Sequence, residues 1–155
     1  MLNSPTVEQR ALMKRAAWLF LLAMITGAWA GVVMTQGKAI GLDLPIHPRH
    51  ERLVLAAHLN GLLGTFWILG VMITLDATRL SEAGRAWLKR LTLLAAYGNW
   101  LVTLIASFLD VRGLAFDSDA KNNLIAGLLQ VFVVIPTLTA AALWVVGLSR
   151  KDTNS

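Results

Sequence analysis

Four runs of this chain, residues 16–37, 53–75, 91–109 and 122–149, contain no Asp, Glu, Lys or Arg, and the charged segments between them are short. A helix needs roughly 17–25 mostly apolar residues to cross the hydrocarbon of a bilayer, and each run is long enough. The period-two alternation that a lipid-facing barrel requires is absent. The pattern predicts an all-α fold, an integral membrane four-helix bundle, as a single domain of 155 residues. Ser4-Pro5 offers a capping hydroxyl and a proline for the start of the first helix. Ser81-Glu82-Ala83 could open the third helix early, and Pro136 predicts a kink in the fourth. Gly27 and Gly31 form a small-residue pair that lets another helix come close.

Met13-Lys14-Arg15, the apolar run behind it and Ala28-Trp29-Ala30 together mimic a secretory leader with its cleavage site. The run continues through Val32, Val33 and Met34 to full spanning length, so a retained helix is expected.

Composition agrees with a membrane location: 56% of residues are hydrophobic and 15% charged, against about 25% charged in soluble domains. The net charge of +5 invites a nucleic-acid reading, but its distribution does not. Nine of the 14 Lys and Arg lie in the termini and the second connection, and five lie in the other two connections. By the positive-inside rule this bias puts both termini in the cytoplasm, and no nucleic-acid partner is expected. The absence of cysteine excludes disulfides, thiolate metal sites and iron–sulfur clusters.

Against this background His58 stands out. An ionisable side chain at membrane depth costs roughly 2–3 kcal/mol or more without a partner, and a neutral imidazole has one lone pair well suited to a metal. The competing reading is a histidine hydrogen-bonded to a packing neighbour. His58, Gly61, Leu62 and Thr65 share a helix face. Gly61 and Gly64 leave space there for a neighbouring helix or for a flat ligand.

The third run carries Asn99, Thr103 and Ser107 at four-residue spacing, with Asp110 continuing the stripe and Tyr97 just before it. Polar groups in a span must face protein or a cavity, so the stripe is either interhelical hydrogen bonding or the wall of a polar pocket. Gln130 and Thr137 on the fourth run are better explained by packing, His47 and His50 by loop positions, and most tryptophans by interface anchoring. Trp100 could also stack on an aromatic ligand. With one histidine inside the spans, a haem would keep an open axial position, which suits Lewis-acid or ligand-binding chemistry better than electron transfer.

At these residues the chain resembles the styrene oxide isomerases and the related hydroxylaminobenzene mutases. Ala57-His58, Gly98-Asn99, Phe108 and Arg112-Gly113-Leu114-Ala115-Phe116 look like the isomerase pattern. His58-Leu59-Asn60-Gly61 and Tyr97-Gly98-Asn99-Trp100-Leu101-Val102-Thr103-Leu104 look closer to the mutases. The resemblance implies a trimeric enzyme of the bacterial cytoplasmic (inner) membrane, with His58 as ligand of haem b iron and Gly61 and Arg112 beside the cofactor. It also implies a redox-neutral rearrangement of a small aromatic substrate, aryl epoxide to aldehyde or arylhydroxylamine to aminophenol. Asn99 and Thr103 would orient the substrate oxygen, and Tyr97 would donate a hydrogen bond.

Two departures put styrene oxide itself in doubt. Thr103 replaces the isomerases' substrate-contacting tyrosine, and Gly64 replaces an asparagine. Asn60 and Tyr97 are the candidates to supply the missing groups. The alternatives are a non-enzymatic haem-binding or quinone-associated membrane subunit, and a small channel without a cofactor.

Overall fold

The computed structural model describes residues 6–44 and 46–150. Four helices are long and apolar enough to cross a membrane: α1 (Val7–Met34), α2 (Pro48–Ala77, ending in a 3-10 turn), α3 (Glu82–Leu109) and α4 (Ala120–Ser149). No strand occurs among the described residues.

Each helix starts where a side chain satisfies orphan backbone donors. Thr6 and Gln9 form a reciprocal capping box at the head of α1. The expected start at Ser4-Pro5 lies outside the described residues. His47 accepts from the Arg49 amide and Pro48 occupies the first turn, so α2 begins well before its uncharged run. Ser81 caps α3, as its sequence suggests, and Asp119 caps α4.

The expected disturbance at Pro136 takes the form of a π turn at Gln130–Val134. Proline has no N–H for the carbonyl of Phe132, four residues back, and a widened turn is one way a helix absorbs that loss. Gly98 lies against this turn. A Cβ there would come within 2.8 Å of the Phe132 carbonyl oxygen, so only glycine lets α3 approach so closely.

The helices run up and down in sequence, with α2 packed closely between α1 and α3 and with α4 chiefly against α3. Within their most apolar stretches, 39% of α2 is buried but only 17% of α4, which makes α2 the central element. One apolar cluster, including Leu19, Ile68, Leu88 and Ala140, fills the half nearer the termini. A smaller one of Val102, Ala106, Val111 and Ile125 closes the opposite end. Outward faces carry exposed Trp18, Phe20, Ile25, Leu63, Phe66, Ile73, Leu138 and Val145, as expected of helices bathed in lipid.

The α3–α4 connection is pinned rather than loose. Asp110 ends α3 in the left-handed conformation, and Gly113 follows with φ 63°. The buried Asn122 side chain accepts from the Gly113 amide at 2.7 Å and donates to the Ala115 carbonyl at 2.7 Å. That bracket holds Arg112 above the gap between α2 and α3.

Candidate functional site

His58 lies on the side of α2 that faces α1. Its Nδ1 is 2.8 Å from the carbonyl oxygen of Ala23. A carbonyl can only accept, so Nδ1 carries the proton and donates. In the neutral ring the lone pair then belongs to Nε2. A backbone carbonyl holding the far ring nitrogen is the arrangement that orients histidines which ligate metals. Gly27 makes the seat possible, because a Cβ there would lie 2.6 Å from Nδ1. The paired Gly31 has nothing within 4 Å. Gly27 and Gly31 are thus not one helix-packing motif within this chain; Gly27 seats a ring and Gly31 faces open space.

The two glycines downstream of the histidine also resolve. A Cβ on Gly61 would lie 2.7 Å from that of Ala23 and 3.0 Å from Trp100, and one on Gly64 would lie 3.0 Å from that of Ala96. Of the two readings of this space, helix approach is the one realised within the chain. Gly61, expected beside a cofactor, has Ala23 and Trp100 as its neighbours within the chain. Trp100 fills the same seam and donates to Thr26 Oγ1 at 3.0 Å, so it braces α1 against α3 rather than offering a free stacking face.

Asn60, two residues beyond His58, faces the other way. Its Nδ2 donates to Asn99 Oδ1 at 3.2 Å and to Thr103 Oγ1 at 3.0 Å. These three side chains form the polar floor of a hollow of about 460 Å³ between α2, α3 and the pinned connection. Leu53, Ala56, Leu114 and Leu129 supply apolar walls, and Arg49, Arg52 and Arg112 stand at its mouth. The hydrogen-bond pattern leaves two donors free to serve a ligand. Asn99 Nδ2 has no partner among the described residues, and Thr103 accepts from Asn60 and so keeps its own hydroxyl proton.

The structure therefore brings Asn60, Asn99, Thr103 and Arg112 together and leaves His58 outside the hollow. Tyr97 is also elsewhere. Its hydroxyl donates to the Arg15 carbonyl at 2.6 Å, tying α3 to α1 nearer the termini. Tyr97, expected to supply a missing polar group, is turned about 200° away from Asn99 by the two-residue step between them. Asn60, the other candidate, does stand beside Asn99 and Thr103.

The rest of the stripe serves the architecture. Ser107 bonds back to the Leu104 carbonyl, and its own carbonyl lies 2.7 Å from His50 Nδ1. Asp110 lies 3.8 Å from Arg49 and 3.6 Å from His47. Gln130 points outward and Thr137 is half-buried, and neither lines the hollow. No group of three or more His, Asp or Glu side chains is placed to hold a metal among the described residues. A metal at His58 would have that imidazole as its one ligand from this chain.

Arg52 and the apolar walls were missed in the sequence. The signal was present: Arg49, Arg52, Leu53, Ala56 and Asn60 follow helical spacing along one face of α2.

No curated protein and no solved structure matches the chain. A family model does, over residues 8–149, and its description is styrene oxide isomerase. That match covers nearly the whole chain, through all four helices, His58 and the residues of the hollow, and the chain belongs to the styrene oxide isomerase family.

Proposed function

We propose that this protein is a membrane isomerase that rearranges a small aromatic substrate within one molecule. The product would be an aldehyde from an aryl epoxide, or an aminophenol from an arylhydroxylamine. The observation that carries the reading is the floor of the hollow. There, an amide and a hydroxyl with unspent protons converge beneath apolar walls. Such donors act most strongly on an oxygen that gains negative charge in the transition state. Asn60 holds both partners in register, so their orientation is set before substrate arrives. The aromatic body would lie against Leu53, Ala56, Leu114 and Leu129.

The reading includes haem b at His58. The ring fits that role: its Nδ1–H is committed to Ala23, and its other nitrogen has no hydrogen-bond partner among the described residues. When bound, haem iron would supply a Lewis acid. Because His58 and the hollow lie on opposite sides of α2, we extend the proposal to a homo-oligomer, a trimer by family resemblance. The histidine of one copy would then serve the hollow of another.

A rearrangement needs neither electron donor nor oxygen. Anaerobic protein in detergent should convert styrene oxide to phenylacetaldehyde or phenylhydroxylamine to 2-aminophenol. A strict demand for reductant or oxygen would refute the mechanism.

The proposed setting is the bacterial cytoplasmic membrane with both termini inside, on the bias of nine basic residues against five. Reporter fusions after Ser155 and within residues 117–121 should then report opposite sides; the same side for both would overturn the topology.

A further inference from the structure

At the end of the bundle away from the hollow, a second feature is built across α1 and α3. Arg15 immediately precedes the uncharged run of α1, and Arg90 immediately precedes that of α3. The two helices run in the same direction, and both arginines line one groove at the edge of the apolar layer. α1 and α3 flank α2 and meet through side chains, which leaves that groove between them. Two ties bracket the arginines across it. On the terminal side Lys89 Nζ lies 2.9 Å from the Glu8 carboxylate. On the membrane side the Tyr97 hydroxyl donates to the Arg15 carbonyl at 2.6 Å.

Two hollows meet at the arginine pair. One, of about 260 Å³, lies toward the terminal side beside Glu8, Ala11 and Lys89. The other, of about 470 Å³, continues into the apolar layer along Leu93, Leu94 and Tyr97. Glu8 is the one acidic side chain that lines either hollow, and Lys89 already neutralises it. The guanidiniums of Arg15 and Arg90 make no hydrogen bond or ion pair with any described residue, so the groove keeps two uncompensated positive charges. Positive-inside bias accounts for basic residues at this end. It does not require two of them to line one groove from two helices, with an apolar wall leading away from them.

We infer that Arg15 and Arg90 bind the phosphate of an anionic phospholipid from the leaflet on the terminal side. Guanidinium groups grip phosphate oxygens in forked pairs, and basic pockets between spanning helices suit anionic head groups. The phosphodiester lies between the arginines, and an acyl chain follows Leu93, Leu94 and Tyr97 into the bilayer. The remainder of the head group enters the smaller hollow. An ammonium there would meet Lys89 and both arginines, whereas glycerol hydroxyls carry no charge and can donate to the Glu8 carboxylate. The site therefore selects phosphatidylglycerol over phosphatidylethanolamine. It is separate from the hollow between α2 and α3 and does not depend on the isomerase reading.

Native mass spectrometry of full-length protein in detergent, with equal amounts of the two lipids, tests the site. The first lipid adduct should be phosphatidylglycerol by roughly tenfold or more, as two arginines at a membrane surface would give. Arg15→Gln/Arg90→Gln should lose that preference, while Lys14→Gln/Lys151→Gln, which removes the same charge, should keep it. The single Arg90→Gln variant, expected to lose most of the preference, replaces the pair variant if that protein is not monodisperse. Equal binding of the two lipids by the unaltered protein overturns the site, as does equal loss in the arginine and lysine variants. Inorganic phosphate is added as a competitor. Retention of the lipid adduct supports a lipid site, and its displacement at equal concentrations would assign the arginines to free phosphate and overturn the lipid.

Discussion

The side of α2 that faces α1 and the side that faces α3 are built on opposite principles. Toward α1 the seam is made of Ala23, Gly27 and Gly61, small residues that bring backbone and ring together until a single added methyl would collide. Toward α3 the seam is also close where Gly64 meets Ala96, but a turn earlier the larger, polar Asn60, Asn99 and Thr103 form the floor of a hollow. Tight packing fixes one imidazole in one orientation. Loose packing with a hydrogen-bonded floor leaves donors for something that arrives. The pairing teaches that a small membrane bundle can keep a tightly seated imidazole and an open pocket on one helix. They need only a rotation of about 200°, which two residues provide.

The largest expected effect falls on the tight side. His58→Ala should abolish a haem Soret band, while His47→Ala and His50→Ala retain it. An unaltered spectrum in the His58 variant, with the protein still monodisperse by size exclusion, would remove the ligand seat from the comparison.

Next in size is a change on the open side. Asn99→Ala should lower turnover by roughly 10²-fold, the loss typical of one oxyanion donor, with haem occupancy unchanged. Tyr97→Phe removes only a hydroxyl that donates to Arg15. It should cost about 1 kcal/mol of stability and leave kcat within a factor of about two, since nothing in the hollow is lost. Equal kinetic damage from both would mean the two sides are not separate.

The smallest effect distinguishes two glycines on α1. Gly27→Ala places a methyl 2.6 Å from His58 Nδ1, an overpacking that costs roughly 1–3 kcal/mol. It should lower haem occupancy and shift the absorption maximum. Gly31→Ala meets open space and should match the unaltered protein in spectrum and melting temperature. Identical behaviour of the two variants would show that the ring seat is not tight.

Much of the architecture was legible in the chain, for a plain reason. Hydrocarbon forces every backbone polar group into a helix, so uncharged runs of sufficient length translate directly into spans. Ser81 as a helix start and the disturbance at Pro136 were readable from local chemistry. The early start of α2 was not, because the run was delimited by charge whereas the helix is delimited by its His47 cap and Pro48. Arg49 and Arg52 are part of that helix although they precede the uncharged run.

The candidate site was legible as a set of residues but not as an arrangement. Asn99, Thr103 and Asn60 were recognisable because polar groups in a span must be satisfied somewhere, and they meet as that rule suggests. Tyr97 obeys the same rule with a different partner, the backbone of α1. Residue type states that a partner exists; helix rotation selects which one.

The sequence by itself determined that there are four spanning helices, that the chain belongs with the styrene oxide isomerases, and that His58 is the one imidazole within an uncharged run. These are properties of composition and order, and solvent physics reads them without knowing which helix touches which. Only the tertiary structure decided that Gly27 and Ala23 hold the histidine ring, that Gly61 belongs to packing, and that Asn122 swings Arg112 over the hollow. Those outcomes depend on the azimuth of each helix about its axis, which is set by van der Waals fit between neighbours, because lipid is as apolar as the side chains and exerts no pull of its own.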